Sequence, residues 1–153
     1  MTNKEADILV IGSGLAGAIS ALTAAEENKK VILITKSKTL LSGNTKWAQG
    51  GIAYTNSTDS EEKFFQDISV AGHNHNNSLA VQQLVKEGPK LVESLLINKF
   101  KVPFEKDSSG SLLYTSEAAH STNRIIHCKD QTGNIIHNHV LKKLRNHPKI
   151  KIY

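Results

Sequence analysis

The feature that most constrains the fold is a glycine loop between an apolar strand and a helix. Residues 7–11 form a largely apolar run that predicts a buried strand, and the pattern Gly-x-Gly-x-x-Gly follows at 12–17. Residues 15–27 have an alanine-rich helical pattern, and 31–35 form a second apolar run. A strand, a helix and a strand in this order build one right-handed parallel crossover. We therefore predict an α/β fold, Rossmann-like with a parallel sheet.

The same glycines indicate what the loop binds. A phosphate group takes backbone N–H donors at the positive end of a helix, and it approaches the main chain more closely than a Cβ allows. Gly12 makes the tight turn, Gly14 admits a pyrophosphate and Gly17 lets the helix pack close to the sheet. The pattern predicts a dinucleotide site. A signal sequence or membrane span over 8–25 is disfavoured because glycine and serine interrupt it and acidic residues precede it.

The end of the second predicted strand departs from the usual dinucleotide pattern. An acidic residue commonly binds the ribose hydroxyls there, but this chain has Thr35 and Lys36. From the residues alone, Lys36 indicates either a cofactor with a 2′-phosphate or an adenosine half held by Lys36 and main-chain groups.

The rest of the chain predicts further helices and strands. A long loop over 40–57 indicates function by its length. Asp59 with Glu62 resembles a capping box that starts a helix ending at Gly72. A helical pattern over 78–98 contains Gly88-Pro89, which should kink or divide it. The core contacts predicted for that helix are Leu84, Leu91, Val92, Leu95 and Leu96.

The last third of the chain predicts a hairpin, a helix and a strand. The hairpin pairs 102–104 with 112–114, and the helix starts at Thr132 and stops before Pro148. Residues 149–153 alternate as a strand does. Because a terminal parallel strand usually has a further unit after it, we expect 1–153 to be the amino-terminal portion of a larger domain.

Charge and cysteine usage narrow the class of protein. The formal net charge is +5, but the lysines are dispersed, which favours a solvated surface over a nucleic-acid site. Cys128 is the only cysteine, so a reducing, cytoplasmic location is expected. The alternate spacing of His73 with His75 and of His137 with His139 does not suit a metal site in a loop or on a helix. We expect no metal, no nucleic-acid partner and no membrane partner.

Segments from several parts of the chain resemble one known family. They are the opening Ala-Asp-Ile-Leu-Val-Ile-Gly-Ser-Gly-Leu-Ala-Gly, residues 44–51, the run Ser-Glu-Ala-Ala-His-Ser-Thr-Asn-Arg-Ile-Ile-His at 116–127, and Asp-Gln-Thr-Gly at 130–133. Together they resemble the amino-terminal part of the L-aspartate oxidase family, which belongs with the succinate dehydrogenase and fumarate reductase flavoprotein subunits. Ala118 and Ala119 depart from the glycines usual there.

The resemblance implies FAD as the cofactor and assigns candidate contacts to it. In this group a Ser/Thr-Lys pair replaces the acidic residue, so Lys36 becomes an FAD contact. Dehydrogenase subunits attach FAD covalently through a histidine where this chain has Asn44, so non-covalent FAD is expected. The implied FAD contacts are Gly12, Ser13, Gly14, Leu15, Ala16, Gly17, Lys36, Asn44, Thr45, Lys46, Trp47, Ala48, Gln49, Gly50 and Gly51.

The resemblance also implies a reaction. Glu117 matches the glutamate that orients the amino group of the substrate, while His120 and Arg124 are either ligand contacts or structural residues. The implied enzyme oxidises L-aspartate to iminoaspartate for NAD biosynthesis, with oxygen or fumarate as electron acceptor and quinolinate synthase as a candidate partner. Its capping domain is absent from 1–153, so we expect an incomplete active site. The alternatives are a succinate dehydrogenase or fumarate reductase fragment and a non-catalytic nucleotide-binding module.

Overall fold

The computed structural model describes residues 4–117 and 119–153. The chain divides into two compact units, the first comprising Met1–Gln49 with Gly133–Tyr153 and the second Gly50–Thr132.

The first unit contains the predicted crossover. Strand β1 (Ile8–Ile11) leads through the glycine loop into helix α1 (Leu15–Glu26), and strand β2 (Val31–Ile34) follows. Helix α4 (Thr132–Arg145), which belongs to this unit from Gly133 onwards, then precedes strand β5 (Ile150–Ile152). The strands form a parallel sheet in the order β1-β2-β5, with Ile8 opposite Val31 and Val31 opposite Ile150. The parallel α/β prediction is confirmed.

The core of this unit lies between the helices and β2. The alanine-rich face of α1 is buried, and so is the face of α4 that carries Ile136, Val140 and Leu144. Strand β1 differs from its prediction because Ile11 is 79% exposed and Leu9 is 58% exposed. Leu9 and Ile11 are two residues apart and so lie on the same face of the sheet, where the described residues leave them uncovered.

The second unit combines helices with a short antiparallel ladder. Strand β3 (Ile52–Ala53) pairs with β4 (Ile125–Ile126), and helices α2 (Glu61–Ala71) and α3 (Ser78–Leu91) lie between them in sequence. A π-helical segment, Val92–Lys99, continues from α3. The predicted 102–104 to 112–114 hairpin is reduced to a single antiparallel bridge between Lys106 and Leu112.

One local prediction in this unit is wrong, and a predicted division of the helix lies at a different position. Leu84 and Leu91 are more than half exposed because α3 turns Val81 and Val85 towards the Phe64 cluster instead. The helical course does divide, but at the change to π geometry after Leu91 and not at Gly88-Pro89.

The start of α2 also differs from its prediction. Ser60 is the N-cap, and its hydroxyl accepts from the Lys63 amide. Asp59 does not cap the helix in this way, because its carboxylate binds Arg124 and the Ser60 amide. The helix ends at Gly72 as predicted.

Candidate cofactor site

The glycine loop lines a cavity of the first unit. The cavity has a volume of about 410 Å³, within the range of ligand pockets. It is lined by Ile11, Gly12, Ser13, Gly14, Ile34, Thr35, Lys36, Ser42 and Gly43. The structure therefore places the predicted phosphate loop and Lys36 around one cavity.

Gly12 and Gly17 are required by two different features of the protein backbone. Gly12 has a φ of +104°, a conformation that side chains rarely adopt, and its amide donates to the Ile34 carbonyl at 2.8 Å. A Cβ on Gly17 would overlap the Gly12 carbonyl oxygen, so helix packing excludes it.

Gly14 is not required by the protein's own packing. Its φ of −62° is open to any residue, and a Cβ there would meet only Thr45 Oγ1, at an ordinary 3.6 Å. It is the N-cap of α1 and has no side chain of its own to cap the helix, although Thr45 Oγ1 accepts from the Leu15 amide. A helix N-terminus whose N-cap residue places no side chain in the way fits an approaching pyrophosphate. The loop thus fits the phosphates of a dinucleotide.

Ser13 is held from two sides. Its side chain is buried, and its Oγ donates to the Leu40 carbonyl at 2.8 Å. The Ser13 carbonyl accepts from His137 Nε2 at 2.7 Å, which places the proton on Nε2 because a carbonyl only accepts. The sequence did not predict this contact, since His137 lies 124 positions from Ser13 and belongs to no local motif.

The second predicted segment contacts the glycine loop through its first residues. Asn44–Trp47 form a 3₁₀ turn, and Thr45 Oγ1 accepts from the Leu15 amide at 3.2 Å. Trp47 is 70% exposed, with Lys46 Nζ 4.4 Å from the centre of its ring. The first unit therefore holds Asn44–Trp47 against the start of α1.

The last residues of that segment belong to the second unit and meet Glu117. A Cβ on Gly50 would lie 2.8 Å from Glu117 Oε1, so the carboxylate rests against the Gly50 α-carbon. A Cβ on Gly51 would overlap Ile125 and the Ile126 carbonyl. Both glycines allow close approach, and Glu117 is exposed beside them. Ala118 lies outside the described residues, and Ala119 has a φ of +74°.

Arg124 is buried and bonded to carboxylates of the protein itself. It is fully buried, and its guanidinium makes two hydrogen bonds to Asp59 (2.7 and 2.8 Å) and one to Asp67 (2.5 Å). Its Nη1 also lies 3.0 Å from His120 Nδ1, which must accept from it. These contacts use the guanidinium within the protein, so of the two alternatives for Arg124 the geometry favours the structural one.

The ionisation of this cluster follows from its contacts. Burial would raise the pKa of Asp59, but hydrogen bonds from Arg124 and the Ser60 amide outweigh it and hold that pKa below its usual value. The pKa of Asp67 is lowered in the same way, with burial opposed by Ser121 and Arg124. The bonds to Asp59 raise the pKa of Arg124, so all three groups are charged.

Other candidate groups are inert or scattered. Burial, with Glu105 nearby, raises the pKa of the Cys128 thiol to about 11, so it is protonated at neutral pH. Over residues 4–117 and 119–153 no group of three His, Cys, Asp or Glu side chains is placed to hold a metal ion. No helix in those same ranges is long and apolar enough to cross a bilayer.

Comparison with known proteins decides the family. A family model described as FAD binding domain matches residues 7–153. The chain belongs to the FAD-binding domain family. Its parallel sheet and glycine loop agree with that membership, which indicates FAD as the cofactor.

Relatives of this FAD-binding domain include curated oxidases. The chain is 37% identical over 150 residues to an L-aspartate oxidase of Clostridium acetobutylicum, covering 98% of this chain and 34% of that protein. It is 40% identical over 144 residues to an L-aspartate oxidase of Halobacterium salinarum, covering 94% and 28%. The chain thus spans about a third of the length of these relatives.

A solved quinol fumarate reductase of E. coli has a similar fold. The TM-score is 0.90 at 25% identity, over 99% of this chain and 26% of that one.

Proposed function

We propose that this chain binds FAD non-covalently and provides the amino-terminal FAD-binding part of an L-aspartate oxidase. In this proposal the enzyme oxidises L-aspartate to iminoaspartate for NAD biosynthesis in the cytoplasm, and oxygen or fumarate accepts the electrons. Quinolinate synthase is the candidate protein partner. The family membership and the L-aspartate oxidase relatives support the proposal.

The main support for FAD binding is the glycine at position 14. Nothing in the protein's packing or backbone requires glycine there, whereas a phosphate seated on the α1 N-terminus does. In the proposal the loop and first helical turn (Gly12, Ser13, Gly14, Leu15, Ala16 and Gly17) form the pyrophosphate site, and the Gly12 amide stays bonded to the Ile34 carbonyl. Lys36 binds the adenosine half from the cavity margin.

Residues 44–51 contact the flavin in this proposal. Asn44 has an amide side chain, which cannot form the covalent link that a histidine can, so the flavin stays exchangeable. FAD supplies the electron chemistry when it is bound. The protein positions it and excludes competing contacts.

Glu117 recognises the substrate ammonium group in this proposal. Its carboxylate is exposed and rests on Gly50, at the end of the proposed flavin segment. A carboxylate facing an ammonium forms a charge-assisted hydrogen bond, which is about twice as strong as a neutral one. It distinguishes L-aspartate from succinate, which has no amino group.

The FAD proposal is tested by titrating the 153-residue chain with FAD by calorimetry. We expect a yellow complex whose flavin is released by denaturation. Gly14→Ala should weaken binding at least about tenfold without unfolding the chain, since a Cβ fits the protein but not the ligand. The control is Gly88→Ala, where a Cβ makes an ordinary 3.7 Å contact with Leu84. A folded wild-type chain that takes up no FAD refutes the proposal.

Because this chain alone is expected to have an incomplete active site, the substrate part is tested in an L-aspartate oxidase whose matching amino-terminal region is replaced by this chain. The flavin spectrum is followed with added ligand. Glu117→Gln should weaken L-aspartate binding about tenfold and leave succinate binding unchanged. Equal effects on both ligands would contradict the assigned role of Glu117.

A fumarate reductase or succinate dehydrogenase flavoprotein is the second candidate, favoured by the TM-score of 0.90. Flavin that remains attached after denaturation would support this candidate and would refute non-covalent binding at Asn44.

A further inference from the structure

The β3–β4 ladder ends in an unusual arrangement at Gly50. Ile52 lies opposite Ile126, and the Tyr54 amide donates to the Arg124 carbonyl at 2.7 Å. In an antiparallel ladder every second pair exchanges hydrogen bonds, so the next such pair would be Gly50 and Cys128. Their direct bond is replaced by a side chain.

That side chain is Thr132. Its Oγ1 lies 2.9 Å from the Cys128 amide nitrogen and 2.6 Å from the Gly50 carbonyl oxygen. The amide can only donate and the carbonyl can only accept, so the hydroxyl accepts from Cys128 and donates to Gly50. Thr132 is 2% exposed, which leaves water little room to substitute for it. The hydroxyl is therefore inserted between the two strands with its proton direction fixed.

This contact sets the orientation of the Gly50–Gly51 peptide. In a trans peptide the C=O and the following N–H point in opposite directions. Because the Gly50 carbonyl is turned towards Thr132, the Gly51 N–H is turned away from β4. Among the described residues no acceptor meets the Gly51 N–H.

Two other contacts hold the same peptide. Gly51 is packed so closely against Ile125 and Ile126 that it has no room for a side chain. Glu117 Oε1 rests on the Gly50 α-carbon. A donor that is held from several sides and has no partner is preorganised for a ligand atom that carries negative charge.

We propose that Thr132 is a positioning residue for the flavin: its hydroxyl fixes the Gly50 carbonyl so that the Gly51 amide donates to the bound cofactor. This inference rests on the proposed FAD binding by residues 44–51. A fixed N–H donor favours the reduced cofactor, which is the more negatively charged state. Thr132 thereby raises the reduction potential of the flavin without touching it.

The test compares Thr132→Val and Thr132→Ser in the 153-residue chain loaded with FAD. Valine keeps the shape and removes the hydroxyl, whereas serine retains the hydroxyl. Thr132→Val should weaken the binding of reduced FAD about tenfold more than that of oxidised FAD, which lowers the two-electron midpoint potential by about 30 mV. Thr132→Ser should keep the wild-type potential.

Thr115→Val is the matched control. It removes another threonine hydroxyl that bonds a backbone carbonyl in the same unit, that of Ile125 at 3.4 Å. Its potential should equal that of the wild type. If Thr132→Val does not fold, Thr132→Cys replaces it. A thiol is a weak hydrogen-bond donor, so the flavin potential in Thr132→Cys should lie below that in Thr132→Ser.

Each outcome decides the inference. A folded Thr132→Val chain with wild-type potential overturns it, and so does a Thr132→Ser chain with the potential of the valine variant. Equal potentials for the cysteine and serine variants also overturn it. A wild-type chain that binds no FAD overturns the proposed function and this inference together, whereas binding with an unmoved potential overturns only the inference.

Discussion

The buried ion-pair cluster around Arg124 supports a quantitative prediction about stability. Asp59→Ala removes the carboxylate that makes two hydrogen bonds to a guanidinium with no solvent exposure. Asp67 and His120 remain as its partners, but the cation loses its bidentate neighbour and cannot reach water. Breaking a buried pair from one side costs about 3–5 kcal/mol, because the remaining charge stays desolvated.

This cost is large on the scale of the whole protein. Domains are stable by about 5–15 kcal/mol, and in chains of this size 1 kcal/mol corresponds to about 2–4 °C in melting temperature. The substitution should therefore lower the free energy of unfolding by about 3–5 kcal/mol and the melting temperature by about 10 °C. The stability of Asp59→Asn should lie between that of the wild type and that of Asp59→Ala, since the amide oxygen of the asparagine side chain still accepts from the Ser60 amide.

Urea unfolding followed by circular dichroism measures the effect. The control is Glu87→Ala, which breaks the exposed pair with Lys90, where both side chains are about half exposed. An exposed pair of this kind contributes about 0–1 kcal/mol. If Asp59→Ala and Glu87→Ala destabilise the chain equally, the argument that Arg124 is a buried, structural cation is wrong.

Three further predictions follow from single contacts. Gly17→Ala should abolish FAD binding and destabilise the first unit by about 1–3 kcal/mol in urea unfolding, because its Cβ overlaps the Gly12 carbonyl. The lowered pKa values of Asp59 and Asp67 contribute stability above their unfolded pKa of about 4, and this is lost as the pH falls through the folded values. An acid titration should thus show unfolding below about pH 4. The loss of stability with falling pH should be smaller in Asp59→Asn, which lacks one of the two titrating carboxylates. Cys128, buried with a pKa of about 11, should resist iodoacetamide at pH 8 until the chain is denatured.

The glycine loop could be predicted because its constraints are local. A turn with positive φ, a helix packed against a strand and an open N-terminus each demand a particular residue within six positions of one another. The strands and helices of the crossover follow for the same reason, since hydrophobic period and length identify them. Their predicted bounds agree with the structure to within a residue or so.

Residues that act over long distances in sequence could not be predicted. Thr132 bonds Gly50 from 82 positions away, and His137 bonds Ser13 from 124 positions away. In the sequence Thr132 looks like the start of a helix, which it is, and nothing local shows that its hydroxyl faces another segment. Asp59 likewise resembles a helix cap, but a buried arginine from later in the chain binds its carboxylate.

Strand β1 shows the limit of hydropathy itself. A parallel strand is usually covered on both faces, so a run such as Ile8–Ile11 predicts burial. Hydropathy reports only what these side chains favour, whereas burial also needs a surface that packs on them. Within the described residues β2 pairs with one edge of β1, and Ile11 remains 79% exposed. An apolar strand of this kind is held in the sheet by backbone pairing and by α1, and its exposed side chains mark where further packing would stabilise the fold.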